Sequence, residues 1–285
     1  MREWLEQRVS EALDVDVTHL SRLGGGDVAE SFAVALSNGD RVFAKTHRNP
    51  PPQFFETEAA SLEWLRAADA LPVPAVLAVG PGFLVLEWID ESHARANTVG
   101  EAAFGRGLSK LHGVGAGWFG REDRRTTGSR RLPNEPTATW AEFFAENRLL
   151  PLARMARDQR ALPEHVCDGL AALAGTLSEV GGSSEPPARL HGDLWAGNRL
   201  IDARGQSWII DPAAHGGHRE FDLAMMRLFG GFGEVAFDAY AEAFPLSDGW
   251  PERVPLHQLA PLAVHAIKFG GGYVAATERA LAAVS

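Results

Sequence analysis

The stretch Leu190-His191-Gly192-Asp193-Leu194-Trp195-Ala196-Gly197-Asn198 places a carboxylate and an amide five residues apart on one short segment. Thirteen residues beyond Asn198 comes Asp211-Pro212. An Asp that can take a hydroxyl proton, followed by an Asn and a second Asp offering hard oxygen ligands, suits phosphoryl transfer from metal-bound ATP. In this assignment Asp193 orients the attacking hydroxyl and accepts its proton. Asn198 supplies an amide oxygen to Mg2+, and Asp211 bridges the metal to the phosphates. His191 braces the loop. An Asx turn accounts for Asp193 or Asn198 singly but not for the trio. His191, Asp193, Asp211, His215 and His218 are also types a metal hydrolase uses, but their spacing matches no zinc signature such as His-Glu-x-x-His.

Such a loop needs a cation on the phosphates. Lys and Arg total 27, yet lysine occurs only at 45, 110 and 268, so a lysine marks a position worth examining. Lys45 ends a predicted strand, where a compact charge on a flexible stem can reach ATP. A carboxylate on the following helix would fix it, and Glu56, Glu58 and Glu63 all compete. Glu58 is chosen because Ala59, Ala60 and Leu62 place its neighbours against the sheet. Gly24-Gly25-Gly26 joins the first two strands, and its backbone amides can cradle phosphates. It is no Walker loop, because no Gly-Lys-Ser/Thr follows. The apolar run from Phe83 to Ile89 leaves the sheet at Glu87, Trp88 and Ile89, where a hinge backbone would hydrogen-bond adenine. An ordinary core strand fits that composition equally well.

The elements around these residues follow from periodicity. Residues 1–13 read as an amphipathic helix with Trp4, Leu5, Val9 and Leu13 at helical spacing. Strands are predicted at 20–23, 31–36, 41–45, 76–80 and 83–89, with an Asn38-Gly39 hairpin turn and a helix at 54–68. Beyond about residue 90 the chain turns helical, at 99–112, 140–157, 163–180, 219–228, 233–243 and 256–283. A Gly-, Arg- and Thr-rich stretch at 113–136 reads as a long ordered loop, and residues 199–202 and 207–210 as a short hairpin. Two lobes are expected, 1–88 for nucleotide and 89–285 for catalysis and substrate.

Composition narrows the function classes. A net charge of -10 argues against general nucleic-acid affinity, because phosphate backbones need a basic face. The most apolar window, Leu71 to Ile89, is broken by Pro72, Pro74, Pro81 and Gly82, which reads as buried strands rather than a membrane span. Cys167 is the only cysteine, which excludes an intrachain disulfide and fits a cytoplasmic protein.

His191-Gly192-Asp193-Leu194-Trp195-Ala196-Gly197-Asn198 resembles the signature of the fructosamine kinase (ketosamine 3-kinase) family. Asp211-Pro212-Ala213 with Gly217-His218-Arg219-Glu220 and Asp222-Leu223-Ala224-Met225 is similar to that family's metal-aspartate region. Residues 140–149, Leu228-Phe229-Gly230-Gly231-Phe232 and Phe269-Gly270-Gly271-Gly272-Tyr273 also resemble family segments. The resemblance implies an α+β, protein-kinase-like fold, ATP with Mg2+, and phosphorylation of the sugar 3-hydroxyl of ketosamines. The 3-phosphate is unstable and leaves the amine, which links the family to deglycation. It also implies that Trp195 walls the sugar-amine pocket, a core Trp being the other reading, and that His218 and Glu220 shape the same pocket. Two departures stand out: Ala214 and His215 occupy a place that is often aromatic, and residues 24–28 hold no cysteine for redox-linked dimers. Aminoglycoside, choline and other sugar or amino-alcohol phosphotransferases share such a site with a different pocket. A nucleotide-binding pseudokinase is the other alternative, and the presence of every catalytic residue type argues against it.

Overall fold

The computed structural model describes residues 1–24, 29–92, 96–124, 126–127, 131–180 and 184–284. Its N-terminal part is a five-stranded antiparallel sheet in the order β1-β2-β3-β5-β4. The strands are β1 (Val17–Leu23), β2 (Glu30–Leu36), β3 (Arg41–Thr46), β4 (Val76–Gly80) and β5 (Phe83–Glu87). Alternation gives the sheet two faces. Val42 and Ala44 of β3 pack with Leu5 and Val9 of α1 (Arg2–Leu13), on the side away from the site. Phe43 packs on the opposite side with Phe55, Ala59 and Leu62 of α2 (Phe54–Arg66). Lys45 shares Phe43's face, two residues on, and so points at α2.

The C-terminal part is mainly helical: α3 (Thr98–Val114), α4 (Trp140–Phe144), α5 (Leu150–Asp158), α6 (Glu164–Val180), α7 (Glu220–Phe229), α8 (Glu234–Ala243), α9 (Trp250–Phe269) and α10 (Gly272–Ala282). Thr139 and Glu142 form a capping box at the start of α4. A π-helical segment, Ala145–Leu149, joins α4 to α5 within the predicted 140–157 helix. Its extra residue turns Asn147 and Arg148 towards the preceding loop, where Arg148 donates to the carbonyl of Pro133 at 2.6 Å. That helps order the described part of the 113–136 loop. Among the described residues no helix is long and apolar enough to cross a membrane.

Two departures from the predicted elements bear on the site. The single helix expected at 256–283 is two, α9 and α10, and the first begins at Trp250. Gly270 and Gly271 separate them at φ 62° and 58°, a left-handed conformation that glycine adopts without a side-chain clash. Three-residue strands β6 (Ala188–Leu190) and β9 (His215–Gly217) pair antiparallel, flanking the motif loop. The hairpin β7 (Arg199–Ile201) and β8 (Ser207–Ile209) lies between them.

Candidate active site

Lys45 lies on β3 opposite Leu84 and is only 7% exposed. Its ammonium donates to Glu58 Oε1 at 2.7 Å and forms a second ion pair with Asp211. The structure thereby selects Glu58 from the three candidate acids and ties the small sheet to the loop after β8. Burial presses Lys45 towards neutrality, but the combined pull of Glu58 and Asp211 outweighs it and holds the pKa above the usual lysine range. Lys45 is therefore a fixed positive charge, as phosphate binding requires.

The motif loop is held by backbone bonds. His191 is fully buried, its Nε2 lies 3.0 Å from the Ile210 carbonyl, and its Nδ1 accepts from the Asp193 amide at 3.2 Å. The Ala213 amide donates to the His191 carbonyl at 3.0 Å, and the Ile210 amide to the Asn198 carbonyl at 3.0 Å. These crosslinks set Asp193, Asn198 and Asp211 around one space. Gly192, at φ 80°, is required: a Cβ there would meet the Ala213 carbonyl oxygen at 2.2 Å. Asp211 itself has a positive φ of 55°, a strained setting for a residue with a side chain.

Asn198 donates from Nδ2 to the Asp193 carbonyl at 2.8 Å and to Asp193 Oδ2 at 3.1 Å. Its amide nitrogen is thus engaged with Asp193, which leaves the amide oxygen as the possible metal ligand. With the partly exposed carboxylate of Asp211, the donor set is hard oxygen, which suits Mg2+. Burial pushes the Asp193 carboxyl up to about 7, reinforced by the charges of Asp211 and Asp222 against the Asn198 hydrogen bond. A carboxylate of that basicity is matched to taking a proton near neutrality.

One residue at the heart of the site had no role in the sequence reading. Asp222, fully buried on α7, accepts from the amides of His191 at 2.8 Å and Gly192 at 2.9 Å. His112 of α3 approaches the same carboxylate through Nε2 at 3.3 Å, and its Nδ1 contacts the Tyr240 hydroxyl at 2.8 Å. Burial alone would raise the Asp222 pKa, but these partners outweigh it and hold the group ionised. The available signal was a carboxylate set in the apolar run Phe221 to Met226, which buries a charge that must find partners.

Beside the motif loop lies a row of aromatic rings. Trp195 is 39% exposed and stands edge-on to Phe229 with ring centroids 5.9 Å apart. Its ring folds back over Gly197, where a Cβ would lie 2.3 Å from it. Phe229 continues to His265 at 4.8 Å, and His265 to Tyr273 at 5.0 Å and Phe269 at 5.7 Å. Phe269 and Tyr273, at the end of this row, flank the junction that the single-helix expectation erased.

His218 and Glu220 do not join that row. Each is 1% exposed, in a cluster with His257 and Arg253. Arg253 donates to both Glu220 oxygens, which together with His257 holds the carboxyl down at about 2 against the effect of burial. Neither residue offers a surface to an acceptor, so their expected pocket role is corrected to an internal brace between α7 and α9. Gly24 lies in open space, while Gly25 and Gly26 are outside the described residues. The strand at 83–89 ends at Glu87, whose carboxylate accepts from the Ala75 amide at 3.0 Å. Trp88 and Ile89 follow, half-buried, with Arg41 stacked 3.9 Å from the Trp88 ring centroid.

The fructosamine kinase family profile matches residues 1–284. The chain is 33% identical over 258 residues to a Synechocystis protein named a probable ketoamine kinase, covering 88% of this chain and 85% of that one. It is 31% identical over 280 residues to the chloroplastic protein-ribulosamine 3-kinase of Arabidopsis thaliana, covering 96% and 83%. A solved structure bearing the fructosamine-3-kinase name, from Thermobifida fusca, superposes with a TM-score of 0.91 at 37% identity, over 98% of both chains. The choline kinase LicA of Streptococcus pneumoniae has the same overall fold, with a TM-score of 0.64 at 16% identity over 100% and 98% of the chains. The fold is thus protein-kinase-like, the chain is a phosphotransferase, and it belongs to the fructosamine kinase family.

Proposed function

We propose that this phosphotransferase moves the γ-phosphoryl group of ATP, with Mg2+, to the sugar 3-hydroxyl of a ketosamine. One observation carries the reading: Asp193, raised to about 7 and hydrogen-bonded by Asn198, stands two residues from the exposed indole of Trp195. In this reading residues 1–88 form the nucleotide lobe and 89–285 the catalytic lobe. Bound ATP supplies the phosphoryl group, and Mg2+ neutralises its charge. Lys45, braced by Glu58, pairs with the phosphates, and Asn198 and Asp211 hold the metal. Asp193 takes the acceptor's proton as its oxygen bonds to phosphorus and the bond to the ADP oxygen breaks. Trp195 offers an aromatic face to the sugar and to the protonated amine. Loss of the unstable 3-phosphate would return the free amine, which makes deglycation the physiological outcome.

A panel of fructosyl-lysine, ribulosyl-lysine, an aminoglycoside and choline, read by ADP release, checks the acceptor. Turnover is expected with one or both ketosamines and at background with the other two. ADP release with the aminoglycoside or choline alone would reassign the acceptor while leaving the kinase chemistry standing.

A further inference from the structure

The brace between α7 and α9 buries more polar atoms than it satisfies. Among the described residues, His218 Nε2 and both ring nitrogens of His257 have no hydrogen-bond partner, although both side chains are buried. His257 Nε2 stands 3.3 Å from Glu220 Oε2 without the alignment of a hydrogen bond. The indole N–H of Trp140, whose ring packs near both histidines, is unpartnered among the same residues. Buried polar atoms of this kind are costly unless something satisfies them. One ligand atom from each of His218, Glu220 and His257 lies within 4.8 Å of the other two. Two imidazoles and a carboxylate drawn together in this way are a donor set that zinc uses.

The three side chains come from different places: His218 precedes α7, Glu220 begins it, and His257 lies on α9. Burial, with the nearby His257 and Arg253, holds His218 down to about 4 against the pull of Glu220 and Glu185, so its ring is neutral, as a metal ligand must be. Arg253 hydrogen-bonds the Glu220 oxygens from outside the cluster, as ligating carboxylates usually are. Each of those oxygens keeps a second lone pair. The Glu220 amide donates to His218 Nδ1 at 3.3 Å. Coordination through Nε2 places the ring proton on Nδ1, so this long bond is the contact that metal binding gives up. We propose that His218, Glu220 and His257 bind one zinc ion, with a water as fourth ligand, as a structural link between α7 and α9. The Trp140 N–H is available to the oxygen of that water. The link would fix the helix that carries Asp222, and through it the motif loop. It draws on imidazole, whereas Asn198 and Asp211 offer Mg2+ only oxygen.

Tag-free protein, stripped with a chelator and given Zn2+ in an excess of Mg2+, tests this, because Mg2+ fills oxygen sites and competes poorly for imidazole. Elemental analysis after gel filtration should find close to one zinc per chain. The melting temperature should rise by several degrees over the stripped protein, as for any ligand that binds only the folded state. His218→Gln and His257→Gln should each lose both the zinc and the rise. Since either change removes a buried ring, the wild type supplies an independent measure: its zinc X-ray absorption should show two imidazoles with oxygen completing the shell. Zinc that washes off the wild type, zinc retained by both folded variants, or a spectrum with fewer than two imidazoles would overturn the proposal and leave the cluster to a buried water. No acceptor enters these measurements, so their outcome leaves the ketosamine reading untouched.

Discussion

Asp193→Asn is expected to lower kcat by roughly 10³- to 10⁴-fold, the upper part of the range for losing a positioned general base, with the fold and ATP affinity retained. The amide can still orient a hydroxyl but cannot take its proton. The raised pKa makes the expectation sharper in two ways. First, the base works when ionised, so wild-type kcat/KM should climb with pH towards about 7 and level off above it. Second, a carboxyl whose folded pKa lies above its unfolded value contributes stability that is complete below about pH 4 and is lost as pH rises through about 7. Between those limits the penalty amounts to about 4 kcal/mol at most. The neutral Asn variant avoids it and should melt at or above the wild-type temperature at pH 8. A dead variant that is also at least as stable is what a base held at a cost to folding predicts. Near-normal turnover by Asp193→Asn would assign the base elsewhere.

Asp222→Ala should damage both activity and fold. It removes a buried carboxylate that holds the His191 and Gly192 amides and faces His112. Breaking a buried charged network of this kind costs about 3–5 kcal/mol, and each orphaned amide accounts for about 1–3 kcal/mol of such a loss. Because those amides lie immediately before Asp193, freeing them also moves the base. Asp222→Asn keeps the volume and one acceptor oxygen but must turn its amide group towards a donor. It should lose less stability than the Ala variant while still losing at least tenfold in kcat. Thermal melts alongside steady-state kinetics check both variants. If Asp222→Asn keeps wild-type kcat, the clamp serves stability alone.

The contrast between Asp193 and Asp222 shows what could be read from the chain. Asp193, Asn198 and Asp211 lie within one short stretch whose types and spacing already define a chemistry, so they were legible without coordinates. Lys45 was legible through rarity and strand position, and Glu58 through the apolar neighbours that aim its helix at the sheet. The five sheet strands were visible as short alternating or apolar runs bounded by turn residues, β5 as a continuous apolar run because it is buried along nearly all its length. Asp222 and His112 are 110 residues apart in the chain, and only the tertiary fold brings the two side chains together. His218 and Glu220 failed for the same reason: Arg253, the partner that seals Glu220, comes from a helix 33 residues away. Strands β6 and β9 are too short for any period to show, and their pairing depends on the loop they enclose. The break at Gly270-Gly271 could have been anticipated, since adjacent glycines end helices more often than they continue them. Reading through it concealed the junction flanked by Phe269 and Tyr273, and with it their ring contacts to His265 and Phe229.

Asp193 is proposed to direct phosphate to one sugar hydroxyl of a ketosamine. Phosphorus and carbon NMR of the product formed from ATP, Mg2+ and fructosyl-lysine tests it most directly. The predicted result is a phosphate ester on the sugar 3-oxygen that decays with release of free lysine. A stable ester at another hydroxyl, or ADP formed with no phosphate on the sugar, would contradict it.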